Sequence, residues 1–365
     1  MRKYAAQLCI AAVAFIGGLF VATTVPRYKA RRNPVPDSRP CPVRDRTCWS
    51  ASRRPLGAKK LTEAGMSHAS PVPAPLERRR IKEMEAVVVE VVRETPDTTT
   101  LVLFTGNERL DYEAGHFLTV DPHQFEGLER FVSFFEDLKG RKEPPRAYSM
   151  SSAPHERYIA ITVKEERYIS GKTKYPPLLS PLLVRRTPRG TRMMITGFTG
   201  PYTLNARILE KTNHLFHICA GSGSVPNFAI IKSALKLHPE LRHTLLYSNR
   251  TVEDVIFRSE IEALAQAHPD QLKVIHTLTR EAHPEARGPN VRGGRVRLDL
   301  LRELVPPRLD CYFFICGPGI STFERASAKA EGVEPTPRFL ESVLADLGIL
   351  GVQRDQITRE SYGTA

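Results

Sequence analysis

Residues 214–235 read HLFHICAGSGSVPNFAIIKSAL, and no other stretch limits the fold so sharply. An apolar run of strand length meets a glycine-rich turn, and a helical pattern follows at once. Gly221 and Gly223 permit a tight turn and a close backbone approach, while Pro226 suits the first turn of a helix. A helix opened in this way offers free N–H groups and a partial positive charge to a phosphate. The alternation continues downstream. HTLLYSN, LKVIHTL and CYFFICG read as short buried strands, separated by helical stretches such as PNFAIIKSALKLH and EDVIFRSEIEALAQA. That order predicts a doubly wound parallel α/β sheet over residues 212–365, with helices on both faces.

Upstream the grammar differs. EAVVVEVVRET, TTTLVLF and GHFLTV are β-branched runs broken by turn residues, which predicts an antiparallel all-β unit, a barrel over residues 83–211. FEGLERFVSFFEDLK has apolar positions at helical spacing and predicts an amphipathic insertion over 124–140. After it come the strands RAYSM and YIAITVKEE, a long loop SGKTKYPPLLSPLL, and the strand RMMITGF.

A chain of 365 residues is long enough for two such cores. Its formal charge of +13 would suggest nucleic acid if it lay on the folded body. It does not: residues 1–82 carry 17 Lys and Arg against 4 Asp and Glu, and the remainder is balanced at 36 of each sign. Nucleic-acid binding by the body is therefore not expected. The six cysteines, at 9, 41, 48, 219, 311 and 316, have neither zinc nor iron–sulfur spacing, so no metal is expected. Residues 4–25 are apolar, uncharged and of bilayer length, with more basic residues behind them than before. They read as a membrane anchor that leaves the body cytoplasmic. A cleaved signal, or a true start at Met66, are the alternatives. Residues 27–82, rich in Arg and Pro, read as a linker.

Three further segments carry chemistry. In RAYSMSSAP, residues 146–154, Arg146 and Tyr148 would share one face of a strand. The second strand of the parallel sheet ends in Ser248, Asn249 and Arg250, with no acid for a ribose hydroxyl; an arginine there suits a 2′-phosphate, which favours NADPH over NADH. CYFFICGPGI ends a buried strand in Cys316, Gly317 and Pro318, where the switch-point rule places ligands.

RAYSMSS, a glycine-led loop with a serine, GSGSVP, CGP and a terminal ESY, in that order over residues 84–362, resemble the ferredoxin–NADP reductase superfamily. The resemblance implies a six-stranded antiparallel FAD-binding barrel followed by an NAD(P)-binding domain. It implies that Arg146 meets the FAD pyrophosphate, Tyr148 stacks on the flavin ring and Ser149 bonds near its N5. Thr162 and Val163 would lie along the FAD with backbone contacts, and Ser180 would bind its phosphate. Gly221, Ser222, Gly223 and Pro226 would hold the nicotinamide nucleotide's phosphates, Ser248 and Arg250 its adenosine ribose, and Cys316 with Gly317 and Pro318 its nicotinamide. Tyr362 would cover the opposite flavin face and Glu360 would assist proton handling, so that Ser149, Cys316 and Glu360 surround the transfer path. The implied activity is hydride transfer from NAD(P)H to FAD, with electrons passed to a separate ferredoxin, flavodoxin or oxygenase component. A non-catalytic, membrane-tethered binding module is the reading of another class.

Overall fold

The computed structural model describes residues 83–106, 110–170 and 173–362. The chain first builds six antiparallel strands: β1 (Met84–Thr95), β2 (Thr98–Phe104), β3 (Phe117–Val120), β4 (Arg146–Ser149), β5 (Ile159–Lys164) and β6 (Arg192–Thr199). Their order is β4-β3-β6-β1-β2-β5. Alternating side chains fill the interior, with Val88, Leu101, Leu103, Leu118, Met150, Ile161 and Ile195 fully buried. Among the described residues the two outer strands meet through a single bridge, Met150 to Ile161, and the bond from Ser151 N to Ala160 O.

Two helices interrupt the barrel. α1 (Glu129–Lys139) lies in the β3–β4 connection and ends on Gly140 in the left-handed conformation, at φ 63°. It is shorter than the expected 124–140. Pro122–Gln124 and Glu126–Leu128 form 3₁₀ turns instead, separated by an extended Phe125. α2 (Ser180–Arg185) is a correction, because SGKTKYPPLLSPLL reads as loop. Pro181 sits in its first turn, where its missing N–H costs nothing, and Leu179, Leu183 and Val184 drop into the barrel core.

α3 (Ala206–Lys211) leads into the parallel sheet: β7 (His214–Ala220), β8 (Arg242–Asn249), β9 (Leu272–Leu278), β10 (Val291–Gly293), β11 (Tyr312–Pro318) and β12 (Ile357–Tyr362). Between them run α4 (Ser224–Leu237), α5 (Arg258–Ala267), α6 (Leu298–Leu304), α7 (Thr322–Glu331) and α8 (Phe339–Ile349). The order is β10-β9-β8-β7-β11-β12, so the winding reverses between β7 and β11. α5 begins later than EDVIF suggests. Phe257 takes a left-handed φ of 58°, and its ring stacks on Phe228 at 4.3 Å between centroids.

Among the described residues no helix is long and apolar enough to cross a membrane. The expected anchor at 4–25 and the linker at 27–82 lie outside the described residues. Cys219, Cys311 and Cys316 are buried free thiols.

Candidate active site

The barrel is open along one seam. Beyond the Met150–Ile161 bridge, β4 pairs with β3 and β5 with β2, but among the described residues the facing edges of β4 and β5 exchange no ladder. Arg146–Ser149 therefore runs opposite the edge that carries Thr162 and Val163. Arg146 and Tyr148 are half-buried with exposed Ala147 between them, so they share a face as expected, and Ser149 turns the other way into cover. The side chains of Thr162 and Val163 are spent inside: the Thr162 hydroxyl bonds Thr100 at 2.7 Å, and Val163 joins the core.

Arg146 is engaged by its own connection. It donates to Glu143 Oε2 at 2.6 Å and to the Pro144 carbonyl at 2.6 Å. Burial alone would raise the Glu143 carboxyl, but the bonds from Lys139 and Arg146 outweigh it and hold the group below its ordinary value. The buried Ser180 hydroxyl accepts from Glu166 N at 3.1 Å at the start of α2.

The second half of the site lies where the sheet reverses. β7 delivers the chain into a 3₁₀ turn, Gly221–Gly223, and α4 begins directly at Ser224, with Pro226 as its third residue. Gly221 is left-handed at φ 53°. At Gly223 the constraint is space, since a Cβ there would stand 2.1 Å from the Cys316 carbonyl oxygen. Tyr247 of β8, a residue with no sequence signal, donates to Gly221 O at 3.0 Å and accepts from Ile256 N at 3.2 Å.

β11 and β12 bring the two halves together. In their register Cys316 stands beside Glu360, and Pro318 beside Tyr362. The Tyr362 phenol donates to Ser149 Oγ, so the end of the parallel sheet touches the end of β4. Burial raises the Glu360 carboxyl to about 7, with the nearby Tyr362 side chain opposing the shift. Burial also pushes the Cys316 thiol well up, and Glu360 adds to that. Such a thiol is protonated at neutral pH and is no nucleophile. Gly317 and Pro318 complete the strand, with Gly317 close-packed against Phe339.

Arg250 stands at the end of β8 beside the buried Ser248, but its guanidinium is taken. It donates to Asp254 from Nε at 2.9 Å and from Nη2 at 2.6 Å, and it reaches Asp97 of the β1–β2 turn at 3.4 Å. Glu94 on that same hairpin accepts from Phe257 N at 3.3 Å. Neither carboxylate is legible from sequence, since both act across more than 150 residues.

A strand seam offering backbone polar groups, a cationic fork at one end and a serine at the other fits an extended flavin dinucleotide. Of the buried side-chain atoms that have no hydrogen-bond partner among the described residues, Ser151 Oγ and Glu360 Oε2 accord with a polar ligand beside them. The glycine turn at the reversal fits a second dinucleotide. Residues 217–327 match the family described as oxidoreductase NAD-binding domain. The fold is shared with the flavohem-like FAD/NAD binding domain of nitric oxide dioxygenase from Vibrio cholerae, at a TM-score of 0.57, 24% identity, and coverage of 77% of this chain and 98% of that one. It is shared also with a ferredoxin-NADP+ reductase from Plasmodium falciparum, at a TM-score of 0.55, 15% identity, and coverage of 77% and 96%.

The chain has the two-domain fold of the ferredoxin–NADP reductase type.

The chain is 32% identical over 250 residues to the ferredoxin reductase component of a 3-ketosteroid-9-alpha-monooxygenase from Mycobacterium tuberculosis, covering 65% of this chain and 58% of that one. It is 33% identical over 142 residues to human NADH-cytochrome b5 reductase 2, covering 36% and 49%. The chain thus spans only part of these curated relatives.

Proposed function

We propose that this chain is a member of the ferredoxin–NADP reductase superfamily, an FAD-dependent NAD(P)H oxidoreductase that passes electrons to a separate acceptor protein. The observation that carries the reading is the meeting of Ser149, Cys316, Glu360 and Tyr362 where the barrel seam reaches the carboxyl ends of β11 and β12. FAD, when bound, supplies the capacity to take a hydride from a nicotinamide and release electrons singly. The chain's residues then have distinct tasks. Arg146, released from Glu143, holds the pyrophosphate with a permanently charged fork, and the backbone of Thr162 and Val163 lines the same molecule. Tyr148 supplies an aromatic face to the ring, and Ser180 a hydroxyl to phosphate. Gly221, Ser222, Gly223 and Pro226 bring the nicotinamide nucleotide's phosphates onto the backbone of the turn. Ser149 orients through its hydroxyl, Glu360 holds or yields a proton near neutrality, and Cys316 fills the floor as a neutral thiol beside Gly317 and Pro318. Tyr362 closes the cleft over Ser149.

The nucleotide is NADH by preference. A 2′-phosphate beside Ser248 would meet Arg250 already neutralised by Asp254 and Asp97, and those two carboxylates would oppose it. The acceptor is a protein of the oxygenase-component or ferredoxin type, as the name of the mycobacterial relative suggests for that protein. The charge-free apolar run at 4–25 supports a membrane tether, which deletion of those residues and fractionation would test.

The purified full chain should be yellow, with a flavin spectrum that NADH bleaches without oxygen, and should reduce an artificial acceptor. A colourless chain that cannot be reconstituted with FAD would overturn the reading in favour of a binding module.

A further inference from the structure

Beneath the glycine turn lies a chain of buried polar side chains that none of those tasks uses. His217 of β7 and His243 of β8 stack with centroids 5.4 Å apart, and His217 stacks on Phe314 of β11 at 5.4 Å. His217 Nδ1 lies 2.9 Å from Asn227 Oδ1, and His217 Nε2 lies 3.2 Å from His243 Nδ1. Asn227 Oδ1 also accepts from the Tyr202 hydroxyl at 3.1 Å, while Asn227 Nδ2 donates to Gly223 O at 2.9 Å. All four side chains are buried.

The protons in this chain have one arrangement. Burial lowers His217 to about 4 and His243 well below its ordinary value, so both rings are neutral at physiological pH. Asn227 Oδ1 can only accept, so His217 carries its proton on Nδ1. Its Nε2 must then accept, which places the His243 proton on Nδ1 as well. His243 Nε2 is left a bare acceptor, and among the described residues it has no partner.

A buried polar group stabilises nothing unless its partners are all present, and an apolar residue would serve α4 better at position 227, where Phe228, Ala229, Ile230 and Ile231 follow. Asn227 does what an apolar residue cannot. One amide arm fixes Gly223 O on a turn that has no slack, because Gly223 is pressed on the Cys316 carbonyl. The other takes Tyr202, which lies on the segment leaving the barrel and is itself clamped: its carbonyl would sit 2.0 Å from a Cβ at Gly115.

We infer that Asn227 is a positioning residue for the nicotinamide nucleotide: through Gly223 O it fixes the binding turn against Cys316, and through Tyr202 it registers that turn to the flavin-side barrel. This rests on the nucleotide-binding reading given above. His217 and His243 serve as a rigid neutral backing that keeps the Asn227 carboxamide from turning over.

The test compares Asn227→Leu, Asn227→Asp and Tyr202→Phe in the full chain. The carboxylate of Asn227→Asp could still accept from Tyr202 and His217 but has nothing to donate to Gly223 O. Loss of that one neutral hydrogen bond should raise KM for NADH, and the Kd for NAD+ titrated alone, about tenfold in both Asn227 variants. kcat should change less than twofold, and amide exchange at residues 221–225 should quicken. Tyr202→Phe should leave KM within twofold and lower kcat. In the wild type, nitrogen NMR of the ring should find both histidines neutral with the proton on Nδ1. Unchanged KM and unchanged exchange at the turn in Asn227→Leu, with only a lower melting temperature, would overturn the inference. So would a His217 proton on Nε2, a result that stands even where a variant fails to fold. A wild-type chain that binds no nicotinamide nucleotide would overturn the broader reading along with this one. An active wild type with indifferent variants would overturn this one alone.

Discussion

Tyr362 donates its phenolic hydrogen to Ser149 Oγ, joining the end of β12 to the end of β4 across the cleft. On the proposed reading, a nicotinamide entering beside Ser149 would have to displace that contact. Tyr362→Phe removes one hydrogen bond from the closed arrangement, about 1 kcal/mol, and should lower the Kd of NAD+ about fivefold in equilibrium titration. An unchanged Kd would show that the phenol does not stand in the nucleotide's way.

Glu360 gives the protein a pH signature. Its folded-state value of about 7 lies above the 4.5 of an ordinary glutamate, so folding takes up a proton between the two. The group's contribution to stability is complete below about pH 4.5 and is lost as pH rises through 7. Urea denaturation at pH 5 and pH 8 should show wild type losing more stability with rising pH than Glu360→Gln does. Equal pH dependence in the two proteins would contradict the burial-driven shift.

Arg146→Ala should strip flavin from the purified protein, since a charge-assisted phosphate contact contributes about 1.5–3 kcal/mol. The same change leaves Glu143 buried with Lys139 as its remaining ionic partner, which by itself costs stability. Pairing Arg146→Ala with Glu143→Gln separates the effects. Flavin content should stay low in the double variant while the melting temperature recovers. Full flavin occupancy in either variant would remove Arg146 from the phosphate site.

Arg250→Ala should impair NADH and NADPH turnover alike, within about twofold of each other, because the guanidinium ties the end of β8 to Asp254 and the barrel's Asp97 rather than standing free. Steady-state kinetics with both nucleotides decides the matter. A loss confined to NADPH would mean that the fork leaves its carboxylates for a 2′-phosphate.

What could be read from the residues and what could not divide along physical lines. The strand–turn–helix at 214–235 was legible because period, glycine spacing and proline position all agree within 22 residues. Arg146 and Tyr148 on one face followed from strand geometry alone. α2 was hidden, because prolines and serines usually mark loops and only the buried Leu179, Leu183 and Val184 make that segment helical. The partners of Arg250 and Arg146 were hidden for a different reason. Asp97 lies in a remote hairpin, and Glu143 lies in EPP, which reads as a turn and gives no hint of a counter-ion. His217 and Asn227 looked like polar accidents in apolar runs, and only the packing of β7 against α4 makes them one unit.

Among the described residues the barrel closes through the Met150–Ile161 bridge and the bond from Ser151 N to Ala160 O, and below them two strand edges face each other unpaired. Edges of that kind are templates for unwanted pairing with other chains. A flavin lying in the gap would act as a clasp as well as a reagent, so the protein's solubility and lifetime should follow its flavin supply. Loss of a ligand that binds only the folded chain would then lower stability and leave those edges open to aggregation.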